Sequence, residues 1–228
     1  MRLTDRQTVP VSAALCFAVF AAFSFWPAID LSVSQVFFDG VTFPMAGRWG
    51  IEPLRIALWD ASIAMPILAL AMGVAAAMMR RSLVGLAWQL WAYILLIFVL
   101  GPGLLVNVVL KEFWGRARPA NTVNFGGTAQ FTPVNQITDQ CASNCSFVSG
   151  EAAGSTALAI ALLLILAANR ARLPNWGLRL GQGLAIAVPL FTAWQRVAAG
   201  RHFLSDVLLA ALFVGLIAAV LARAMRLR

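Results

Sequence analysis

The sequence predicts an all-α integral membrane protein with six transmembrane helices. Three observations support this prediction: 61% of the 228 residues are hydrophobic, only 11% are charged, and the mean hydropathy is +0.83. A water-soluble domain needs far more polar surface. The composition therefore disfavours a secreted globular protein, a disordered tail and a soluble nucleic-acid binder, and the net charge of +8 has to be interpreted by its location.

Six stretches of low charge can be tested against a hydrocarbon core of about 30 Å, which takes roughly 20 helical residues to cross. The first is longer than the apolar core of a signal peptide, which favours a retained helix. The last three are short, so they span only if the charged residues at their ends lie at the water boundary or inside the bundle. We predict one domain, 1–228, with spans at about 8–29, 58–79, 83–110, 151–169, 180–196 and 203–222.

Two longer segments connect the predicted spans. Residues 30–57 combine aromatic side chains with glycines, which is typical of a loop or short tilted helix at a membrane surface, and we interpret this segment as an anchor. Residues 111–150 form the longest polar stretch.

The distribution of basic residues predicts the orientation. With six spans, both termini lie on one side, and that side holds ten basic residues and one acid, whereas the opposite side holds seven basic residues and eight acids. Cytoplasmic loops are enriched in Lys and Arg. We therefore expect both termini in the cytoplasm of a bacterial cell, with the chain in the inner membrane and residues 111–150 facing the periplasm.

The three cysteines fall into two groups. Cys16, in the first span, is interpreted as an apolar packing residue. Cys141 and Cys145 lie in a loop expected outside the cytoplasm, where thiols oxidise, so a disulfide is favoured over free thiols. A zinc site would need four ligands, and two thiols with no neighbouring His fall short of that number.

Ionisable groups near a membrane are costly and therefore indicate function, and the first cluster of them follows the third span. Lys111 and Arg118 are seven residues apart, so a continuing helix would place both cations on one face until Pro119 stopped it. For this cluster alone, anchoring by snorkelling side chains is the simpler interpretation. Arg116, in the same cluster, and Arg201 could contact further anionic head-group atoms or pair with Glu112 and Asp139, and the pairing is favoured.

A second cluster opens the fourth span. Ser149 is placed to cap the helix, whose first N–H groups, including that of Gly150, favour an anion such as phosphate. Glu151, in the first turn, could simply compensate the helix dipole.

The third cluster joins the last two spans. His202 is the only histidine, and on a helix beginning near Gly200 the carboxylate of Asp206 would lie one turn further on the same face. It could then hold one imidazole nitrogen and leave the other free to attack. A His with an Asp four residues later is more often a satisfied polar pair, but burying such a pair beside Arg196 would be costly without a function.

Together the three clusters resemble the type 2 phosphatidic acid phosphatase (PAP2) superfamily of membrane lipid phosphatases, whose motifs are K-x6-R-P, P-S-G-H and S-R-x5-H-x3-D. The first motif is matched in full and the third in its spacing, with Gln195 in place of Ser. In the second motif Ser149 and Gly150 match, whereas Val148 and Glu151 replace Pro and His. This S-G-E variant is similar to lipid A phosphatase-like or phosphatidylglycerophosphate phosphatase-like members.

The resemblance implies a mechanism without a metal or other cofactor. His202 would attack phosphorus and form a phosphohistidine, with Asp206 orienting the ring. The phosphoryl oxygens would be held by cations and by the start of the fourth span, namely by Lys111, Arg118, Arg196, Ser149 and Gly150. Phosphoryl transfer depends mostly on such positioning and charge stabilisation.

Glu151 is where the sequence departs from the family, in which a His protonates the leaving group. The nearby cations favour the ionised form of the Glu151 carboxyl, and this opposes a role as proton donor. Three interpretations stay open: Glu151 is a general acid–base, it tethers Arg201 or Lys111, or the leaving group needs little protonation.

The predicted partners are the lipid bilayer and a membrane lipid phosphate or pyrophosphate, since an active site at the outer helix ends is reached most easily by an amphiphile. Phosphatidic acid, phosphatidylglycerophosphate, undecaprenyl pyrophosphate and lipid A all fit, and the oligomeric state is left open. The alternatives to a phosphatase are a lipid phosphotransferase of the same family and a small non-enzymatic transporter.

Overall fold

A computed structural model describes residues 7–227. Within that range the chain is helical and contains no β-strand, so the predicted all-α class is confirmed. In chain order the elements are α1 (Thr8–Phe25), α2 (Ala28–Gln35), α3 (Glu52–Met78), α4 (Trp88–Phe98), a π-helix (Val99–Leu110), α5 (Lys111–Phe113), two 3₁₀ turns (Pro119–Asn121 and Val123–Phe125), α6 (Gly150–Ala168), α7 (Asn175–Ala198) and α8 (Leu204–Ala224).

Five helices in the described range are long and apolar enough to cross a membrane. They are α1, α3, the continuous rod Trp88–Phe113, α6 and α8. Helix α7 has 24 residues, which is long enough, but it includes polar side chains such as Gln182 and Gln195 and does not reach the same hydropathy. The chain is therefore a multi-pass membrane protein.

Several helices have bounds that differ from those of the predicted spans, in two cases because charged residues lie inside the helix. Helix α3 begins at Glu52, not near residue 58, since Arg55 pairs with Glu52 one turn earlier at 2.6 Å. Helix α7 likewise extends beyond the predicted 180–196 at both ends. The third span starts later than predicted, at Trp88, because Leu83 and Leu86 exchange backbone hydrogen bonds in a tight turn.

The segment 30–57 does more than anchor the chain at a surface. It includes most of α2, and Phe43 is buried against Phe125 and Phe203. A Cβ at Gly200, whose φ is +64°, would collide with the Phe43 ring. This aromatic cluster therefore packs against the turn that carries His202. The interpretation of residues 30–57 as a surface anchor is corrected accordingly.

Helix α6 lies at the centre of the bundle and packs against α3, α7 and α8. Its first half is buried and consists of small residues, and a Cβ at Gly154 would meet the Ser62 hydroxyl of α3 at 3.0 Å. Small residues allow helices in membranes to approach closely. This close packing brings Arg55 of α3 to the N-terminus of α6, where the predicted second cluster lies.

A 12-residue π-helix separates α4 from α5. Pro102 lies inside it between two glycines, and proline disrupts the regular i to i−4 hydrogen bonding of an α-helix. The wider π-helix directs Asn107 and Lys111 at its C-terminal end towards the N-terminus of α6: the Asn107 Oδ1 atom would lie 3.0 Å from a Cβ at Gly150.

Candidate active site

One end of the bundle contains a polar cavity of about 490 Å³. It is formed where α3, the π-helix, α5, α6, α7 and the turn before α8 meet. Six predicted residues line it together with Trp59, Asn107 and Asn144; the six are Lys111, Arg118, Gly150, Glu151, Arg196 and His202. Residues from three separate sequence clusters therefore share one cavity wall.

The imidazole of His202 is held by a backbone carbonyl. Its Nδ1 atom lies 2.8 Å from the carbonyl oxygen of Ser146. Because a carbonyl only accepts hydrogen bonds, Nδ1 carries the hydrogen and Nε2 of the neutral ring carries the free lone pair. Burial lowers the pKa of His202, while the nearby Asp206 carboxylate acts in the opposite direction. The neutral ring thus has a free lone pair on Nε2, and His202 lines the cavity.

The predicted direct bond between His202 and Asp206 is not formed. The distance from Nδ1 to Asp206 Oδ2 is 3.8 Å, which is too long for a hydrogen bond. The reason is that α8 begins at Leu204 and not near Gly200, so His202 lies in the preceding turn. Asp206 instead accepts hydrogen bonds from the Ser146 hydroxyl at 2.5 Å and from the Phe203 N–H at 2.9 Å. It therefore fixes both the turn and the residue whose carbonyl holds the imidazole.

Behind Asp206 lies a fully buried ionic network centred on Arg116. Arg116 donates to Asp206 Oδ1 at 2.7 Å, to Asp30 Oδ2 at 2.8 Å and to the Ser205 hydroxyl at 2.8 Å, and its guanidinium lies 4.4 Å from the centre of the Phe203 ring. The predicted pairing of Arg116 with Glu112 or Asp139 was therefore wrong. Two carboxylates face one guanidinium, and burial raises the pKa of Asp30 while the Arg116 guanidinium acts in the opposite direction.

Lys111 and Arg118 converge through a turn rather than along a helix. The helix ends at Phe113, and Gly115, with φ +67°, leaves no room for a Cβ against the Thr138 carbonyl. Lys111 then donates to the Asn144 side chain at 2.9 Å, and Arg118 donates to the Asn144 carbonyl at 2.9 Å. The single-helix prediction was wrong, but both cations do reach the cavity wall.

Asn144 lies inside a small covalent ring. Cys141 and Cys145 form a disulfide with their Cα atoms 5.7 Å apart, and Asn144 adopts a left-handed φ of +48° within it. The disulfide therefore constrains the backbone of the residue that contacts both Lys111 and Arg118.

Glu151 lies between two guanidinium groups. Arg196 Nη1 donates to its Oε1 atom at 2.8 Å, and Arg55 Nη1 donates to Oε1 and Oε2 at 3.1 and 3.2 Å. Neither Arg201, which is exposed, nor Lys111 is its partner, so the proposed tether to those two residues was wrong. Both guanidinium groups donate to the Glu151 carboxylate, whose oxygens act as acceptors.

The N-terminus of α6 forms the floor of the cavity. Ser149 caps the helix, as predicted, by accepting from the Ala152 N–H at 3.3 Å. Ser149 is fully buried and is not part of the cavity wall, whereas Gly150 is. A Cβ at Gly150 would meet Asn107 at 3.0 Å and Lys111 at 3.5 Å, so only glycine leaves this close approach open.

Sequence reasoning missed the roles of several residues of the site. Asp30, Arg55 and Arg116 carry charge at or inside span ends, and the rule that such charges are costly and therefore functional could have identified them. No sequence signal marked Asn144, because its role depends on the backbone path of the disulfide ring.

A second cavity, of about 310 Å³ and mostly apolar, adjoins the first. The two share Trp59, Asn107 and Gly150. From there the apolar cavity runs between α3 and the π-helix, past Ile63 and Val99, which are about half exposed. The polar cavity thereby borders a cleft on the side of the bundle.

Comparisons with known proteins agree with this architecture. The chain is 43% identical over 116 residues, 49% of its length, to a lipid A 4′-phosphatase of Rhizobium leguminosarum, and the match covers 44% of that protein. It is 35% identical over 137 residues, 59% of its length, to a lipid A 4′-phosphatase of Francisella tularensis subsp. novicida, covering 54% of that protein. The chain thus spans about half the length of these curated relatives.

The fold is similar to the crystal structure of a transmembrane PAP2 type phosphatidylglycerolphosphate phosphatase from Bacillus subtilis. The TM-score is 0.57, the identity is 20%, and 96% of each chain is covered. Residues 89–228, more than half of the chain and including all three sequence clusters, match the PAP2 superfamily. The chain belongs to the PAP2 superfamily.

Proposed function

We propose that the protein is a metal-independent lipid phosphatase that works through a phosphohistidine on His202. The observation that carries this proposal is the imidazole itself: its Nδ1 atom is held by the Ser146 carbonyl, and its ring lines a cavity with Lys111, Arg118 and Arg196. Three cations around one neutral imidazole suit a phosphoryl group that carries negative charge on its non-bridging oxygens.

In the first step Nε2 attacks phosphorus, a P–N bond forms, the P–O bond to the lipid breaks, and the leaving oxygen takes a proton from water. The three cations and the N–H groups at the start of α6 stabilise the phosphoryl oxygens. The ring becomes cationic in this step, and the negatively charged Asp206 network beside Nδ1 stabilises it. In the second step water attacks phosphorus, the P–N bond breaks, and inorganic phosphate and neutral His202 are restored.

We assign Glu151 to positioning. A carboxylate held by Arg55 and Arg196 orients Arg196 towards the phosphoryl group and can position the attacking water. A pyrophosphate or a sugar 1-phosphate has a better leaving group than a simple alcohol and needs less help from an acid, and such a substrate suits a site of this kind.

The apolar cleft and the relatives support a lipid substrate. The cleft begins at the cavity wall and lies on the side of the bundle, so an acyl chain can stay in lipid while its phosphate enters. The named relatives are lipid A 4′-phosphatases. We therefore propose lipid A or a similar phosphorylated glycolipid as the substrate, with α7 as a sixth span, the protein in a bacterial inner membrane, both termini in the cytoplasm and the cavity facing the periplasm.

The test is phosphate release by the purified full-length protein from lipid A, phosphatidic acid, phosphatidylglycerophosphate and undecaprenyl pyrophosphate. His202→Ala should lower turnover by about a thousandfold or more, as expected for a lost nucleophile. Arg201→Gln, an exposed neighbour outside the cavity wall, should keep turnover near the wild-type level.

A chelator should leave the rate unchanged, and rapid quenching should trap acid-labile phosphate on the protein. Because burial lowers the pKa of His202, the acid limb of the rate profile should lie below the ordinary histidine range. A His202→Ala protein with full turnover would exclude the mechanism. Turnover of phosphatidic acid but not of lipid A would leave the mechanism intact and remove the proposed substrate.

A further inference from the structure

A basic cavity of about 290 Å³ lies at the other end of α3, away from His202. Arg80, Arg81 and Ser82 line one side, and Trp88 and Gln89 of α4 line the other. Both arginine side chains are exposed, and no ion pair involving either is found between residues 7 and 227. The cavity wall contains no acidic residue, so its charge is positive.

The backbone of this turn directs two consecutive arginines to the cavity. Arg80 has a φ of +50°, a left-handed conformation in which glycine is usual. The turn is closed by hydrogen bonds from the Arg80 N–H to the Ala77 carbonyl and from the Arg81 N–H to the Ala76 carbonyl, both at 3.2 Å. A non-glycine residue at such a position suggests that its side chain has a use there.

An apolar groove of about 210 Å³ adjoins the basic cavity and shares Ala77 and Trp88 with it. The groove runs between α3 and α4, and its remaining walls are entirely apolar. They are formed by Ala69, Leu70, Gly73, Val74, Ala92 and Leu95. A polar compartment with positive charge thus opens directly into an apolar one.

The length of the combined site matches one leaflet of a membrane. From Arg80 to Ala69 the path along the helix is about 16 Å at 1.5 Å per residue, which is about half of a hydrocarbon core of about 30 Å. Trp88, 49% exposed, lies where the two compartments meet, and tryptophan is enriched at the level of lipid head groups. Head group, interface and acyl chain would therefore each contact side chains of suitable chemistry.

We propose that this site binds one anionic phospholipid, with its phosphate between Arg80 and Arg81 and an acyl chain in the groove of α3 and α4. Guanidinium groups bind phosphate oxygens with charge-assisted hydrogen bonds, and the Ser82 hydroxyl and Gln89 amide can bind the polar head group. The site is separate from the polar cavity of His202 and does not depend on the proposed reaction.

Lipid binding to the full-length protein in mild detergent, followed by native mass spectrometry, tests the proposal. The probe is phosphatidylglycerol, a phosphodiester, and the comparison ligands are phosphatidylcholine and inorganic phosphate. We expect phosphatidylglycerol to bind at a stoichiometry of one to this site, and both comparison ligands to bind much more weakly. Equal binding of phosphatidylcholine, or displacement by equimolar inorganic phosphate, would overturn the proposal.

The head-group variant is Arg80→Gln with Arg81→Gln. Its matched control is Arg170→Gln with Arg179→Gln, which removes the same charge from exposed positions outside the cavity. Each arginine near an anionic head group contributes a factor of about five, so the first pair should weaken binding about 25-fold and the control pair only slightly. Equal losses in both pairs would show that general surface charge attracts the lipid.

The groove variant is Ala77→Phe, which fills the junction of the two compartments, and its control is the neighbouring Met78→Phe. Met78 is 80% exposed and lines neither compartment. Ala77→Phe should reduce phosphatidylglycerol binding about tenfold, and Met78→Phe should not. Ala77→Leu provides a smaller filler if the Phe variant unfolds at a lower temperature in detergent, and unchanged binding by a folded groove variant would exclude the acyl-chain position.

Discussion

Asp30 gives the buried Arg116 a second carboxylate partner, and this changes the charge that His202 experiences. Burial raises the pKa of Asp30, and the Arg116 guanidinium lowers it; when Asp30 and Asp206 are both ionised, the network carries one net negative charge. Its carboxylates are satisfied by donors only: Asp30 accepts from the Ser205 N–H at 2.9 Å and from the Ser205 hydroxyl at 2.5 Å. Asp30 is thus a positioning and charge-balancing residue that acts through Arg116 and Asp206.

We predict that Asp30→Asn lowers turnover by about ten- to a hundredfold, the usual range for outer-shell partners of a reactive site. Loss of one negative charge disfavours a cationic His202, so its already lowered pKa falls further. The acid limb of kcat/KM should then move to lower pH. The other charged groups around the ring, namely Lys111, Arg118, Glu151, Arg196 and Asp206, are unchanged in this variant.

The control for Asp30→Asn is Ser34→Ala in the same helix. The Ser34 hydroxyl is buried and, among residues 7–227, has no hydrogen-bond partner. This control should leave both the rate and the profile as in the wild type. A slower Asp30→Asn protein with an unmoved acid limb would show that Asp30 only supports the fold.

Glu151→Gln should keep appreciable turnover and change the pH profile only modestly. The variant retains the size of the side chain and its acceptor oxygen towards Arg196 while removing charge and titration. Arg55→Gln should give a similar moderate loss, because Arg55 acts by holding Glu151. Asp60→Asn is the control, since Asp60 is an exposed carboxylate of the same helix and forms no ion pair among residues 7–227.

Rates for these proteins should be measured on an alkyl phosphate and on a pyrophosphate. A proton-donor role for Glu151 predicts a large loss that is greatest for the alkyl phosphate, together with disappearance of one limb of the curve. That result would contradict the positioning role.

At the scale of elements, the disulfide connects the oxidation state of Cys141 and Cys145 to the positions of the cavity cations. We predict that replacing Cys141 and Cys145 by Ser lowers kcat/KM about ten- to a hundredfold, because displacements near 1 Å in a site can cost that much. The loss should appear mainly in KM, since Asn144 orients Lys111 and Arg118, which would bind phosphate. Asn144→Ala should reproduce only part of the loss, because it keeps the carbonyl that Arg118 contacts.

Cys16→Ala is the control for the disulfide variant. Cys16 is a buried free thiol in α1, so its replacement should not alter KM. A reductant should slow the wild type and this control but not the variant lacking Cys141 and Cys145. Equal KM values for the oxidised and the reduced wild-type protein would show that the disulfide does not affect KM.

The sequence predicted the helices well where charged residues bound an apolar stretch of spanning length. It predicted them less well where a charged residue lies inside a helix. Arg55 and Arg196 illustrate the second case, because each is paired with Glu151 across the bundle. A one-dimensional pattern contains no information on such partners. The same limit explains why the motif spacing identified His202 and Asp206 but suggested a bond between them that the actual start of α8 prevents.

At the scale of the whole molecule, the three sequence clusters meet because α3, α6 and α7 bring their charged ends to the same end of the bundle. Linear spacing predicted that Lys111, Arg118, Arg196 and His202 would act together, and all four line the cavity. The supporting network of Asp30 and Arg116 could not be predicted in this way. Asp30 of α2 and its partner Ser205 of α8 are 175 residues apart along the chain.

The cleft between α3 and the π-helix also determines which measure of substrate concentration controls the rate of this protein. An enzyme entered from the side of the bilayer meets its substrate by diffusion in two dimensions. Its rate then depends on the mole fraction of substrate among the lipids and not on the amount per volume of solution. Inert lipid added at constant bulk substrate would slow turnover by dilution within the surface, so growth or remodelling of the membrane would itself regulate the reaction.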